Sequence, residues 1–143
     1  MGFANTALRW GNHAVAGLYR GTGGRVMASV RKTPVLILTV PGRRSGEPRS
    51  APVGYFPHDG GWLVVGSFNG GPAEPDWFKN LRKAKRATIQ IGRTVTQVRP
   101  EIVGEPQRTE LYRDVVSASS PGFAAYEKKT DRVIPIALLH LLP

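Results

Sequence analysis

Cysteine is absent from the chain, which excludes disulfides, thiolate nucleophiles and cysteine-ligated metals together. The absence suits a reducing compartment, so a cytoplasmic location is the expectation. Histidine is scarce: His13, His58 and His140 lie far apart with no metal-ligand spacing, and no metal centre is expected. Hydrophobic runs are short, and none approaches the ~20 residues that cross a bilayer. The first residues also lack the basic start, apolar stretch and small-residue cleavage site of a secretory leader. No Ser/His/Asp set and no paired carboxylates stand out, so hydrolytic chemistry has no support. Acidic residues are few, 10 against 20 lysines and arginines. The resulting net charge of +10 calls for an anionic partner such as a polyanionic small molecule, a nucleic acid or a membrane surface.

What is present fits one domain over residues 1–143 with a real core. Residues 6–20 carry Leu8, Val15, Leu18 and Tyr19 at helical spacing behind a Thr6 cap, and 21–32 form a glycine-rich basic connector. Residues 1–32 are thus an N-terminal helix and connector, the segment that could touch a membrane surface. From Thr33 the pattern becomes β. VLILTV (35–40) is followed by a loop and by SAPVGYF; HDGG (58–61) turns the chain into WLVVGS (62–67). Residues 75–85 read as a short helix with Pro75 near its start. Residues 87–103 read as a second hairpin, 105–119 and 122–128 as helices, and 133–141 as a last strand or buried run. About six strands joined by turns, with a few helices, give an α+β class and a small barrel.

The loop PGRRSGEPRS (41–50) gathers Arg43, Arg44 and Arg49 around Gly42 and Gly46. Glycines free the backbone to turn sharply, and arginine grips phosphate or carboxylate in a bidentate way. Composition alone leaves two readings open, a solvated hairpin tip and an anion cradle. A second basic run, Arg82, Lys83, Lys85 and Arg86, has no helix-turn-helix or RRM signature beside it. It reads as a solvated face, and no nucleic-acid partner is expected.

Four segments, LTVPGRRSGEPRSAPVGYF, DGGWLVVGSFNGG, PDWFKNL and TDRVIPI, together resemble the deazaflavin-dependent nitroreductase family of actinobacteria, from about Pro34 to the C-terminus. The resemblance implies a split β-barrel of the flavin-reductase kind and an enzyme using coenzyme F-420, an 8-hydroxy-5-deazaflavin with a phosphodiester and an oligoglutamate tail. It implies that Arg43, Arg44, Ser45 and Arg49 meet the phosphate and first glutamates, with Gly46 permitting close approach. Pro52, Val53, Gly54, Val65, Gly66 and Ser67 would line the ring, and Trp77 and Asn80, one helical turn apart, would close over it. Trp77 reads equally as core and Ser67 as a strand-end hydroxyl. Phe123 and Tyr126 would face the substrate, with Ser67 and Tyr126 as candidate catalytic donors to charge developing on the acceptor. The expected acceptors are quinones, nitroaromatics or activated enones. FMN is the runner-up cofactor, and a coenzyme carrier without turnover is a further alternative. The family often has a basic residue where this chain has Phe68, and several members have a tyrosine where it has Gly54.

Overall fold

The computed structural model describes residues 29–30, 33–67, 73–130 and 132–143. The expected helix over 6–20, most of the connector and residues 68–72 lie outside them.

Among the described residues seven strands form: β1 (Ser29–Val30), β2 (Thr33–Pro41), β3 (Pro48–His58), β4 (Gly61–Val65), β5 (Ala87–Ile91), β6 (Thr94–Ile102) and β7 (Ile136–Leu141). Their order is β1-β2-β3-β4-β7-β6-β5, and β5 also pairs with β2. That extra pairing closes β2, β3, β4, β7, β6 and β5 into a six-stranded antiparallel split barrel, which leaves those strands no free edge. The two-residue β1 is an addition to the sequence reading, which has this region as connector; it pairs antiparallel with the start of β2. Asp59 and Gly60, both at positive φ (48° and 77°), make the tight turn between β3 and β4 that the HDGG pattern predicts.

The strand period of two divides every barrel strand between an inside and an outside. Leu36, Leu38, Val40, Ala51, Val53, Val64, Ile89, Val98 and Leu139 face one another in the barrel core. Into that core the helix α1 (Asp76–Lys83) sends Phe78 and Leu81, and it packs against β2, β3 and β6. Phe78 has no exposed surface, a burial worth roughly 1.5–3 kcal/mol.

The opposite face of β3, β4 and β7 carries a second core. Phe56, Leu63, Val65, Ile136 and Leu138 meet Leu111, Tyr112, Val116 and Tyr126 there. The last four come from α2 (Gln107–Leu111), the π-helical turn Tyr112–Ser117 that continues it, and α3 (Gly122–Lys129). The sequence predicts a helix over 105–119 but not its π turn, a wider winding that still turns both Tyr112 and Val116 into the core. Among the described residues no helix is long and apolar enough to cross a membrane.

Candidate functional site

The arginine loop joins β2 to β3. It is closed by two backbone bonds, Gly42 N–H to the Glu47 carbonyl (2.8 Å) and Gly46 N–H to the Gly42 carbonyl (2.9 Å). Gly46 sits at φ 76°, a left-handed conformation that costs other residues strain. The Ser45 hydroxyl accepts from the Glu47 N–H at 3.1 Å. A Cβ on Gly42 would lie 3.0 Å from Ser45 Oγ and 3.5 Å from Arg49 Nε, so both groups crowd over the base of the loop.

The three arginines have different surroundings. Arg44 and Arg49 are exposed, and neither has a carboxylate partner among the described residues. Arg43 turns back on α1. Its backbone N–H and one guanidinium N–H both donate to Asn80 Oδ1, at 3.1 and 2.8 Å. A second guanidinium nitrogen stands 3.6 Å from Asp76. Asn80, buried, thus holds the loop against the helix, while Trp77 is half-buried against the barrel core with its ring edge-on to Phe78 (5.3 Å).

The same helix meets the end of β4 on its other side. A Cβ on Gly66 would lie 2.8 Å from the Phe78 ring and 3.0 Å from Pro135, so only glycine fits there without displacement. Gly66 N–H donates to the Pro135 carbonyl at 2.9 Å. Ser67 follows, buried. Arg132, just before β7, donates from one guanidinium nitrogen to the carbonyls of Gly66 (3.1 Å) and Ser67 (2.9 Å). Burial pushes the Arg132 guanidinium below the usual arginine range, partly offset by Glu74 and Tyr112. Arg132 is the residue that sequence reasoning missed; the TDRVIPI motif contained it, but nothing local linked it to a strand end 65 residues away.

Alternation separates the residues expected along the ring. Val53 points into the barrel core and Val65 into the second core, whereas Pro52 and Gly54 occupy the opposite face from Val53. A Cβ on Gly54 would stand 3.1 Å from Thr33 Cγ2, and the Thr33 hydroxyl is bonded to that of Ser120 at 2.8 Å. Phe123 and Tyr126 are brought together edge to face with centroids 5.2 Å apart, and Phe56 meets Phe123 at 5.7 Å. Tyr126 is buried in the second core, which also holds Val65.

The second basic run is partly neutralised. Arg82 makes a two-pronged pair with Glu74 (2.9 and 2.8 Å), and this hydrogen bonding raises the Arg82 pKa; its guanidinium also lies over the Phe78 ring. Lys83, Lys85 and Arg86 are exposed. Among the described residues no group of three or more His, Cys, Asp or Glu could hold a metal.

Comparison with known proteins gives consistent matches. A family model described as "F420H(2)-dependent quinone reductase" matches residues 12–140. An "F420H(2)-dependent quinone reductase" of Mycobacterium tuberculosis is 28% identical over 85% of this chain and 84% of its own. A second protein of that organism, a "Putative F420H(2)-dependent quinone reductase", is 32% identical over 80% of this chain and 97% of its own. A solved structure described as an "F420-H2 Dependent Reductase" superposes with a TM-score of 0.67 at 26% identity, covering 75% of this chain and 94% of its own.

Proposed function

The chain belongs to the F420H(2)-dependent quinone reductase family, and from that premise we propose that this coenzyme-F-420-dependent oxidoreductase reduces quinones, with nitroaromatics and activated enones as further acceptors. The observation that carries the assignment to this site is the pair Arg44 and Arg49, exposed and without carboxylate partners among the described residues, around a left-handed glycine turn. Two exposed guanidinium groups and the Ser45 hydroxyl together make a cationic, donor-rich cradle on one loop. They fit a ligand with a phosphodiester and an acidic tail.

Bound there, reduced coenzyme F-420 would supply a hydride from its C5. The protein's part is placement and polarity. Arg44, Ser45 and Arg49 hold the anionic groups, and Arg43 sets the loop against α1. Pro52, Gly54, the Gly66–Ser67 segment and the backbones of Val53 and Val65 would offer surface to the ring, and Trp77 would close over it. A quinone would take up that hydride with its two electrons, and a proton delivered at oxygen would complete the hydroquinone. The hydroxyls of Ser67 and Tyr126 are the candidate donors to charge developing on that oxygen. Phe123 backs the Tyr126 ring.

Fluorescence titration of the purified protein with coenzyme F-420 and, separately, FMN tests the reading. Arg44→Ala or Arg49→Ala should weaken F-420 binding by about 1.5–3 kcal/mol, the usual worth of hydrogen bonds to charged groups. The effect should shrink as salt rises, because exposed charges are screened. Tight FMN binding with none of F-420, or unchanged affinity in both variants, would overturn it.

A further inference from the structure

The ladder between β4 and β7 ends at the pair Val65–Ile136. Beyond it the carbonyls of Gly66 and Ser67 need donors from elsewhere, because buried main-chain groups are seldom left unpaired. One guanidinium nitrogen of Arg132 serves both, while the Gly66 N–H is held by the Pro135 carbonyl. The strand end is therefore fixed by a side chain where the sheet no longer fixes it. Desolvating a cation is costly, and hydration could satisfy strand-end carbonyls without that cost. A guanidinium is also rigid and directional where a lysine ammonium is not.

We propose that Arg132 is a positioning residue for the reaction: by gripping the two carbonyls of the Gly66–Ser67 segment it sets where the Ser67 hydroxyl stands. This rests on the reading above that the segment lies at the coenzyme and that Ser67 donates to the acceptor. Arg132 itself acts through Ser67 and needs no contact with substrate. Misplacing a reacting group by about 1 Å can cost on the order of a hundredfold in rate, so a loosened grip is visible in turnover before it is visible in folding.

The test uses full-length protein with Arg132→Lys, Arg132→Gln, Ser67→Ala and the Arg132→Lys/Ser67→Ala double variant, and exposed Arg113→Lys as control. Arg132→Lys should keep F-420 affinity within about threefold and KM for menadione near wild type, while kcat falls roughly ten- to hundredfold. Amide exchange in the coenzyme-free protein should quicken in the peptide ending at Ser67. Ser67→Ala should lower kcat in the wild-type background and add little in the Arg132→Lys background, since residues acting as one unit are not additive. Wild-type kcat in Arg132→Lys, or effects of the two substitutions that multiply, would overturn the proposal while leaving the functional reading intact. Loss of folding in both Arg132→Lys and Arg132→Gln would make Arg132 a structural strap and overturn it too. A wild-type protein that neither binds F-420 nor reduces menadione would sink the functional reading, and this inference with it.

Discussion

Asn80 Oδ1 accepts two hydrogen bonds from one residue, the backbone N–H of Arg43 at 3.1 Å and its guanidinium at 2.8 Å. The two residues are 37 positions apart, so the contact ties the arginine loop to α1 across the fold. The guanidinium's nearness to Asp76 adds to the tie. Of three loop arginines, one is spent on the protein itself and two, Arg44 and Arg49, are exposed.

Asn80→Ala should therefore act on both folding and binding. It removes the acceptor of a charged donor from a buried position, at a cost of about 1.5–3 kcal/mol, and it frees the loop from α1. The melting temperature should fall by several degrees and F-420 affinity should drop although Arg44 and Arg49 are intact. Arg44→Ala, an exposed change, should lower affinity without moving the melting temperature. Thermal melts and titrations that show Asn80→Ala equal to wild type in both respects would remove the tie from the account.

Gly66→Ala should destabilise by about 1–3 kcal/mol, the usual cost of overpacking. The added methyl would sit 2.8 Å from the Phe78 ring and 3.0 Å from Pro135. The cost should be smaller in a Phe78→Leu background, where the ring is gone, and denaturant melts of the four proteins in the cycle would measure that coupling. Equal costs in both backgrounds would place the strain elsewhere.

Tyr112 gives a pH dependence whose sign is fixed. Burial raises its pKa above the ordinary value of 10.0, with Glu127 adding to the rise, and its hydroxyl donates to the Phe123 carbonyl. For an acid whose pKa is higher folded than unfolded, the stabilisation is complete below the unfolded pKa. It is lost as pH climbs from there towards the folded value. Stability should thus decline above about pH 10. Tyr112→Phe should be less stable at pH 8 yet show a shallower decline from pH 9.5 to 11.5. A decline as steep as wild type would assign the alkaline loss to other groups.

The order of elements from Thr33 onward was legible in the sequence because it depends on local rules. Short apolar runs rich in β-branched residues, VLILTV and WLVVGS, make strands, Asp59-Gly60 makes a turn, and Pro75 opens a helix whose Phe78 and Leu81 share a face. The crowding of arginines on a glycine-opened loop was equally legible, and with the four motif segments it pointed to an anionic deazaflavin coenzyme.

Tertiary structure decided what each of those residues is free to do. Nothing local distinguishes Arg43 from Arg44; only the approach of α1, with Asn80 at its centre, commits the first and leaves the second exposed. Nothing local assigns Arg132 to the end of β4, because that contact exists only once β7 has paired with β4. Barrel closure between β2 and β5 likewise decided which of Pro52, Val53 and Gly54 faces inward as core. Periodicity fixes which side chains share a face, but which face becomes the inside is set by the long-range pairing that buries it.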